Sequence, residues 1–399
     1  MKKVAIFTNH YAPENFRINA LVDEFKKDLE VDVITQIPNY PHGDYYPGYS
    51  VFKKRTEDKD NVHIERLFAI PRKNNKIMLS LNYISYALTS FVYGLFNKRK
   101  VDHVLVYMTS PIFLSWGALR LAKRNQVKST AYVLDLWPGS LIMILNIKNK
   151  FIQNKLYTLS QNIYKRFDHI VVSSPAFKDE LVSMGVEAYR ISYIPQHADE
   201  ISEQPIAPVL MKDKLEIIFA GNICQAQRLD LIVDAVACLK ARNQHKIHFT
   251  IVGDGRYKTT LEHLIETQDV SEYFTLVGRV EPSKVKSYLE NKHFGYVSLV
   301  NVSPINKTIP AKVQSYMAYG LPILAASPGA LNDFVSEVEG GLVSEDVSAE
   351  GLALTLESAL RINNEQWMSM HTKARDYACE HFDIIEGVKK FKKIMKEGI

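Results

Sequence analysis

Short apolar runs that read as strands alternate with amphipathic helical stretches twice over, in two series separated by a polar break. Residues 4–8 form an apolar run that ends in the polar loop NHYAPENFR, followed by a helix at 18–25 and a second strand at 31–35. Strands at 62–69, 103–107, 129–134, 169–172 and 191–194 follow, with helices at 77–97, 112–123, 152–166 and within SSPAFKDELVSMG. Residues 195–214 (PQHADEISEQPIAPVLMKDK) are irregular and proline-bearing, and read as a linker. Beyond them the alternation restarts, with strands at 215–220, 247–252, 274–278, 295–299 and 323–326. Helices at 229–241, 257–267, 282–291, 310–320, 330–337, 349–362, 365–381 and 383–396 complete the series. Consecutive parallel strands need crossover connections, and the crossover helices cover both faces of the sheet. The expected class is therefore α/β, as two doubly wound parallel-sheet domains with a cleft between them.

A length of 399 residues suits two or three domains, and 46% hydrophobic with 23% charged residues is the balance of a soluble globular chain. The net charge of +5 fits an anionic small ligand or an anionic membrane surface. It is too weak to argue for nucleic acid, and no aromatic–basic interleaving supports that partner. Cys224, Cys238 and Cys379 are unevenly spaced, so they make neither a disulfide framework nor a zinc site and point to a reducing cytosol. The apolar run after Met1-Lys2-Lys3 stops at Thr8, too soon for a signal peptide, so a cytoplasmic location is expected.

Ligands of doubly wound sheets sit beyond the carboxyl ends of the strands. Three such places stand out. His10–Arg17 follows the first strand, where a functional loop competes with a plain turn around Pro13. Asp135, within DLWPGS, ends the strand at 129–134, either as a ligand contact or as a cap of the next turn. Residues 306–325, NKTIPAKVQSYMAYGLPILA, read as a loop turning into a helix at Pro310 and stopping at Gly320. A helix start presents unpaired N–H groups and partial positive charge, and Lys312 in that first turn adds a full one. Glycines also end three strands of the second series, in Gly221-Asn222, Gly253-Asp254-Gly255 and Gly278-Arg279, where they would let a ligand approach the backbone.

Other stretches leave alternatives open. The loop at 36–51, rich in Pro, Tyr and Gly, is either packed or an aromatic surface for a sugar ring or lipid headgroups. Asp58-Lys59-Asp60 resembles a metal-binding DxD, but no apolar strand leads into it and a solvated turn is expected. Residues 77–97 carry no charge across about the length of a membrane span. Arg72, Lys73 and Lys76 precede them and Lys98, Arg99 and Lys100 follow. Strands on both sides in one sheet would exclude a true span, leaving a buried crossover helix or one lying in the bilayer interface. There is no GxGxxG fingerprint, Walker lysine, GxSxG elbow or His/Cys metal spacing, so nicotinamide cofactors, ATP cleavage, acyl transfer and a bound metal find no support. What remains is an anionic, nucleotide-like ligand held by the second domain against a group from the first.

The blocks NHYAPENFRINAL, VLDLWPGS, FAGNICQAQRLD, IVGDG, LVGRV and NKTIPAKVQSYMAYGLPILA, in that order, resemble the retaining glycosyltransferases of family four, with the GT-B fold. The resemblance is closest to the branch that builds capsule, O-antigen and colanic-acid repeat units on a polyprenyl carrier. It implies Rossmann-like domains at 1–195 plus 382–399, for the acceptor, and at 196–381, for a nucleotide sugar with uridine as its base. It further implies that the diphosphate meets Pro310, Ala311, Lys312 and Val313, with Gly221, Asn222, Arg228 and Gly253 around it and Ser315 one turn on. The base would contact Arg279 and Val280, Asn15 and Arg17 would close over the phosphates, and Asp135 would orient a hydroxyl. By the same resemblance the reaction needs no cofactor, the acceptor is a lipid-linked saccharide, and the protein lies peripherally on the inner face of the cell membrane. The chain departs from the family where two glutamates are usual, at Lys307 and Ser315, and where Arg and Lys are usual, at Asn222 and Gln227. A lysine frequent in the capsule branch is missing near Gln225, and Glu14-Asn15 replaces an N-terminal Gly-Gly. A non-catalytic sugar-nucleotide-binding subunit and a GT-B epimerase or phosphorylase therefore stay open as alternatives.

Overall fold

The alternating apolar runs become two parallel sheets, each holding separate cores on its two faces. A computed structural model describes residues 1–73, 75–209 and 214–397, so positions 210–213 of the linker lie outside the described residues. The chain divides into a unit comprising Met1–Pro195 with the segment from Ile384 on, and a second unit, Gln196–Asp383. The division falls after Asp383 because Phe382 is buried in the second unit and its carbonyl accepts the Ala198 N–H at 3.0 Å.

In the first unit the order is β1 (Lys3–Phe7), α1 (Ile18–Phe25), β2 (Glu30–Gln36), β3 (Thr56–Lys59), β4 (Val62–Leu67), α2 (Lys76–Phe96) and β5 (His103–Met108). Next come α3 (Ser115–Asn125), β6 (Ser129–Val133), α4 (Gly139–Leu145), α5 (Lys150–Tyr164), β7 (His169–Val172), α6 (Pro175–Ser183) and β8 (Ile191–Tyr193). The sheet runs β3-β4-β2-β1-β5-β6-β7-β8, parallel except for the β3–β4 hairpin. Successive side chains of a strand point to opposite faces, so Ala5 and Phe7 enter the core under α3 while Val4 and Ile6 enter the core under α1. Asp58 and Lys59, expected in a turn, lie in β3. That strand is charged because it is a mostly exposed edge, where charge blocks further pairing. Asp58 holds His63 Nδ1 at 2.6 Å, and no group of three or more His, Cys, Asp or Glu among the described residues could hold a metal ion.

The second unit contains β9 (Leu215–Ala220), α7 (Leu229–Ala241), β10 (Ile247–Val252), α8 (Lys258–Thr267), β11 (Phe274–Gly278), α9 (Val285–Leu289) and β12 (Phe294–Ser298). It continues with α10 (Ala311–Ala318), β13 (Ile323–Ala326), α11 (Ala330–Val338), β14 (Gly341–Val343), α12 (Ala349–Ala359) and α13 (Asn364–His381). The sheet order is β11-β10-β9-β12-β13-β14, with all pairings parallel. Ile217 and Phe219 fill the core shared with α7 and α12, and Ile218 the core shared with α10 and α11. The last helix, α14 (Ile384–Glu397), returns to the first unit, where Phe391 packs edge-on to Phe25 and Tyr132.

No helix among the described residues is long and apolar enough to cross a membrane. The helix α2 is also not a fully buried crossover: Tyr86 and Ser90 are buried while Ile77, Ile84 and Phe96 are exposed.

Candidate functional site

Strand order reverses direction between β1 and β5 in the first unit and between β9 and β12 in the second, which makes a crevice at the carboxyl ends of those strands. At the first crevice, Asn9 just beyond β1 donates from Nδ2 to the Ser110 carbonyl at 2.5 Å and accepts Thr109 Oγ1 at 2.6 Å. Ser110 Oγ donates to Asp135 Oδ2 at 2.5 Å and accepts Trp137 Nε1–H at 2.6 Å. The strand ends of β1, β5 and β6 are thereby tied around one carboxylate. Burial raises the Asp135 pKa above its ordinary value, opposed by the hydroxyls of Ser110 and Ser140 and the Leu136 N–H. A carboxylate so placed is a stronger hydrogen-bond acceptor for an incoming hydroxyl than a solvated one.

The loop after β1 is stapled from within. Glu14 is 1% exposed; its Oε1 accepts the N–H groups of Asn39 at 2.6 Å and Tyr40 at 2.7 Å, and its Oε2 meets His10 Nδ1 at 2.5 Å. His10 stacks on Phe16 with centroids 4.2 Å apart. The sequence shows Glu14 only as a replacement for a glycine pair; its role as the clasp between two loops has no local signal, since its partners on the second loop, Asn39 and Tyr40, lie 25 and 26 residues away. Asn15 is exposed beside it, and Arg17 forms the N-cap position of α1 without a capping bond from its side chain.

In the second unit, Gly221, Gly253 and Gly278 all have positive φ, at 153°, 142° and 82°. The reason for glycine at 253 differs from the expected one: a Cβ there would lie 1.9 Å from the Gly221 carbonyl oxygen, so the neighbouring strand end needs the space and not a ligand. Gly253 N–H donates to the Gly278 carbonyl at 2.8 Å and Gly221 N–H to that of Val252 at 2.9 Å. These bonds draw the ends of β9, β10 and β11 together. Gly278, by contrast, has open space on its Cβ side, with Arg279 exposed and Val280 half-buried beyond it.

Lys312 crosses from the first turn of α10 toward Gly221, whose Cβ would sit 3.3 Å from Lys312 Nζ. The ammonium donates to Gln227 Oε1 at 2.6 Å and lies 3.7 Å from the Phe219 ring centroid. Loss of hydration pushes its pKa down to about 7, weakly opposed by Cys224. Gln227, noted in the sequence only as a missing lysine, is thus the residue that aims Lys312. Arg228, expected beside the diphosphate, has left-handed backbone at φ 47° and gives its Nε to Asp230 Oδ2 at 3.1 Å. Asn222 is exposed at the end of β9, and Ala311 and Ser315 lie on the outer side of α10.

One expectation about α10 is corrected. Pro310 stands at the N-cap with extended backbone, not inside the first turn. The side chain of Val313 is fully buried and its N–H bonds the Pro310 carbonyl at 2.9 Å. A tight first turn uses that amide internally, which hydrophobic spacing could not foretell.

Two family models match the chain, "Glycosyltransferase Family 4" over residues 17–200 and "Glycosyl transferases group 1" over residues 201–377. The chain is 23% identical over 284 residues to an Escherichia coli protein described as a colanic acid biosynthesis glycosyl transferase, WcaI, spanning 66% of this chain and 69% of that one. It is 22% identical over 224 residues to a Salmonella typhimurium protein described as a colanic acid biosynthesis glycosyltransferase, WcaL, spanning 56% of this chain and 55% of that one. Among solved structures it resembles sucrose-phosphate synthase from Thermosynechococcus elongatus, with TM-score 0.74 and 14% identity over 100% of this chain and 99% of the other. It likewise resembles Anabaena HepE in complex with UDP and glucose, with TM-score 0.68 and 12% identity over 99% and 100% of the two chains. These likenesses establish the fold as GT-B.

Proposed function

Because the chain belongs to the GT-B glycosyltransferases, we propose that it moves a hexose, N-acetylated or deoxy, from a UDP-sugar to a polyprenyl-diphosphate-linked saccharide. The reaction would be retaining and metal-independent, a step in surface-polysaccharide synthesis carried out at the inner face of the cell membrane. The observation that carries this reading is Lys312, seated at the second crevice against Gly221 and aimed by Gln227. The colanic-acid relatives support the polysaccharide context, and the UDP complex of HepE supports the donor.

Leaving of a nucleoside diphosphate builds negative charge on its outer phosphate. A cation already in place, shielded from water, stabilises that charge without reorganising. Lys312 is assigned that role, with backbone at Gly221 and Asn222 and the Arg279–Val280 segment holding the rest of the donor. Retention without a side-chain nucleophile implies attack from the leaving-group face, with the departing phosphate accepting the acceptor's proton. Asp135, in the first unit, is assigned to orient the acceptor hydroxyl.

Lys312→Ala is expected to lower turnover of the UDP-sugar by roughly a hundredfold or more, the usual cost of one transition-state donor. The donor itself is found by thermal shift against a panel of nucleotide sugars, because a ligand of the folded state alone raises the melting temperature. Near wild-type turnover in the variant would remove Lys312 from the mechanism. The internal pairing of Arg228 with Asp230, together with Lys307 and Ser315 in place of glutamates, favours one second reading, a non-catalytic nucleotide-sugar-binding subunit. That reading requires calorimetric UDP-sugar binding with neither transfer nor slow donor hydrolysis.

A further inference from the structure

The helix α2 is built inside out for a protein in water. Its polar side chains face inward: Asn82 Nδ2 donates to Gln36 Oε1 at 3.0 Å and to the Ile70 carbonyl at 2.6 Å, and Ser85 Oγ accepts the Ile70 N–H at 2.9 Å. Tyr86 OH donates to the Thr8 carbonyl at 2.7 Å, and Thr89 Oγ1 to that of Phe68 at 2.7 Å. The opposite face carries Ile77, Leu81, Ile84, Leu88, Phe91 and Val92, which are 39% to 73% exposed. Residues three and four apart share one face of a helix, so these side chains form a continuous apolar stripe along most of α2. Soluble monomers rarely leave such a contiguous patch uncovered.

The charge around the stripe says what covers it. Residues 72–100, α2 and its flanks, contain six Lys or Arg and no acidic residue, although the whole chain carries only +5. Lys98 and Lys100 are exposed just beyond the end of α2, and Arg120 and Lys123 are exposed on the adjoining α3. A second copy of the chain would bring like charges together. An anionic surface with an apolar layer beneath it matches both features.

We propose that the outer face of α2 is the surface by which this protein docks on an anionic lipid bilayer, its apolar stripe entering the headgroup–acyl boundary and the surrounding cations meeting lipid phosphates. The proposal rests on the reading that the acceptor is lipid-linked, and it names the part of the first unit that meets the lipid.

Flotation of the full-length protein with phosphatidylcholine vesicles, with and without phosphatidylglycerol, tests it. Wild type is expected to float with the anionic vesicles, less so in high salt. Leu88→Glu/Phe91→Glu should weaken that binding by roughly tenfold or more, as expected when two large apolar side chains are withdrawn from an apolar layer. Lys98→Glu/Lys100→Glu should remove the preference for phosphatidylglycerol. Because these positions are exposed, the melting temperature should stay unchanged, which separates lost docking from lost folding. Absence of flotation, or flotation of the apolar double variant equal to wild type, overturns the proposal. So does concentration-dependent dimerisation abolished by that variant without flotation of wild type, which would give the face to a second copy. UDP-sugar hydrolysis without vesicles, read on the same samples, is a separate axis: its loss counts against the proposed transferase reaction and leaves docking standing.

Discussion

A single lysine carries an electrostatic consequence that the proposed reaction can be tested on. Lys312 has its pKa lowered from 10.5 to about 7 by burial. Folding therefore favours its neutral form, and the cost of holding the charged form eases as pH rises through about 7. An incoming diphosphate reverses the preference by supplying the missing counter-charge. UDP binding should then take up a proton above pH 7, and affinity should fall as pH rises from about 7, where free protein is increasingly neutral. Calorimetry across pH in buffers of different ionisation enthalpy measures both effects, and Lys312→Met should flatten them; an unchanged slope in that variant would assign the proton elsewhere. Asp135 has the opposite dependence. Its folded pKa is raised, so its contribution to stability is present at low pH and lost as pH rises through the folded value. Both residues are legible in the sequence, Asp135 as a polar group at a strand end and Lys312 as a charge in the first turn of a helix. Their pKa directions are not, because those come from burial, and burial is set by what folds around each group, such as Phe219 against Lys312 and Ser110 against Asp135.

At the scale of elements, α2 and α3 meet backbone to backbone. A Cβ on Gly117 would fall 2.2 Å from the Ser90 carbonyl oxygen, and one on Gly94 2.2 Å from the Gly117 carbonyl oxygen. Gly117→Ala should thus force the helices apart and destabilise the first unit by about 1–3 kcal/mol or more, the usual cost of overpacking. A denaturant unfolding curve measures this, and an unchanged midpoint would mean that α2 shifts freely over the sheet. The strongly periodic elements were readable: α7, α12 and α13 lie within a few residues of their expected bounds. The misses have specific causes. The helix α4 is only seven residues, GSLIMIL, too short and too uniformly apolar for a period to register. The strand β14 has three residues, and β3 is a charged edge strand, so neither shows apolar alternation.

The first unit depends on the last helix, α14, returning to the core beside β1. Val388, Phe391 and Ile394 of α14 are buried in the core that also holds Val4, Ile6 and Phe25. Burying each such side chain stabilises by about 1.5–3 kcal/mol, so together they approach the net stability of a domain. A chain ending at Asp383 should lose the calorimetric transition of the first unit while keeping that of the second. Two transitions at their wild-type temperatures would show α14 to be dispensable. The sequence by itself determined the parallel α/β class, two successive series, the strand ends where chemistry gathers and a charge-free helix amid basic residues. These follow from periodicity and chain order, which are local. Only the tertiary structure decided that α2 turns its polar side inward, that Glu14 clasps two loops, that Gly253 makes room for Gly221 and that Gln227 aims Lys312. Each of those outcomes depends on what lies across a sheet or a crevice, and residues far apart in the chain carry no pattern that announces their meeting.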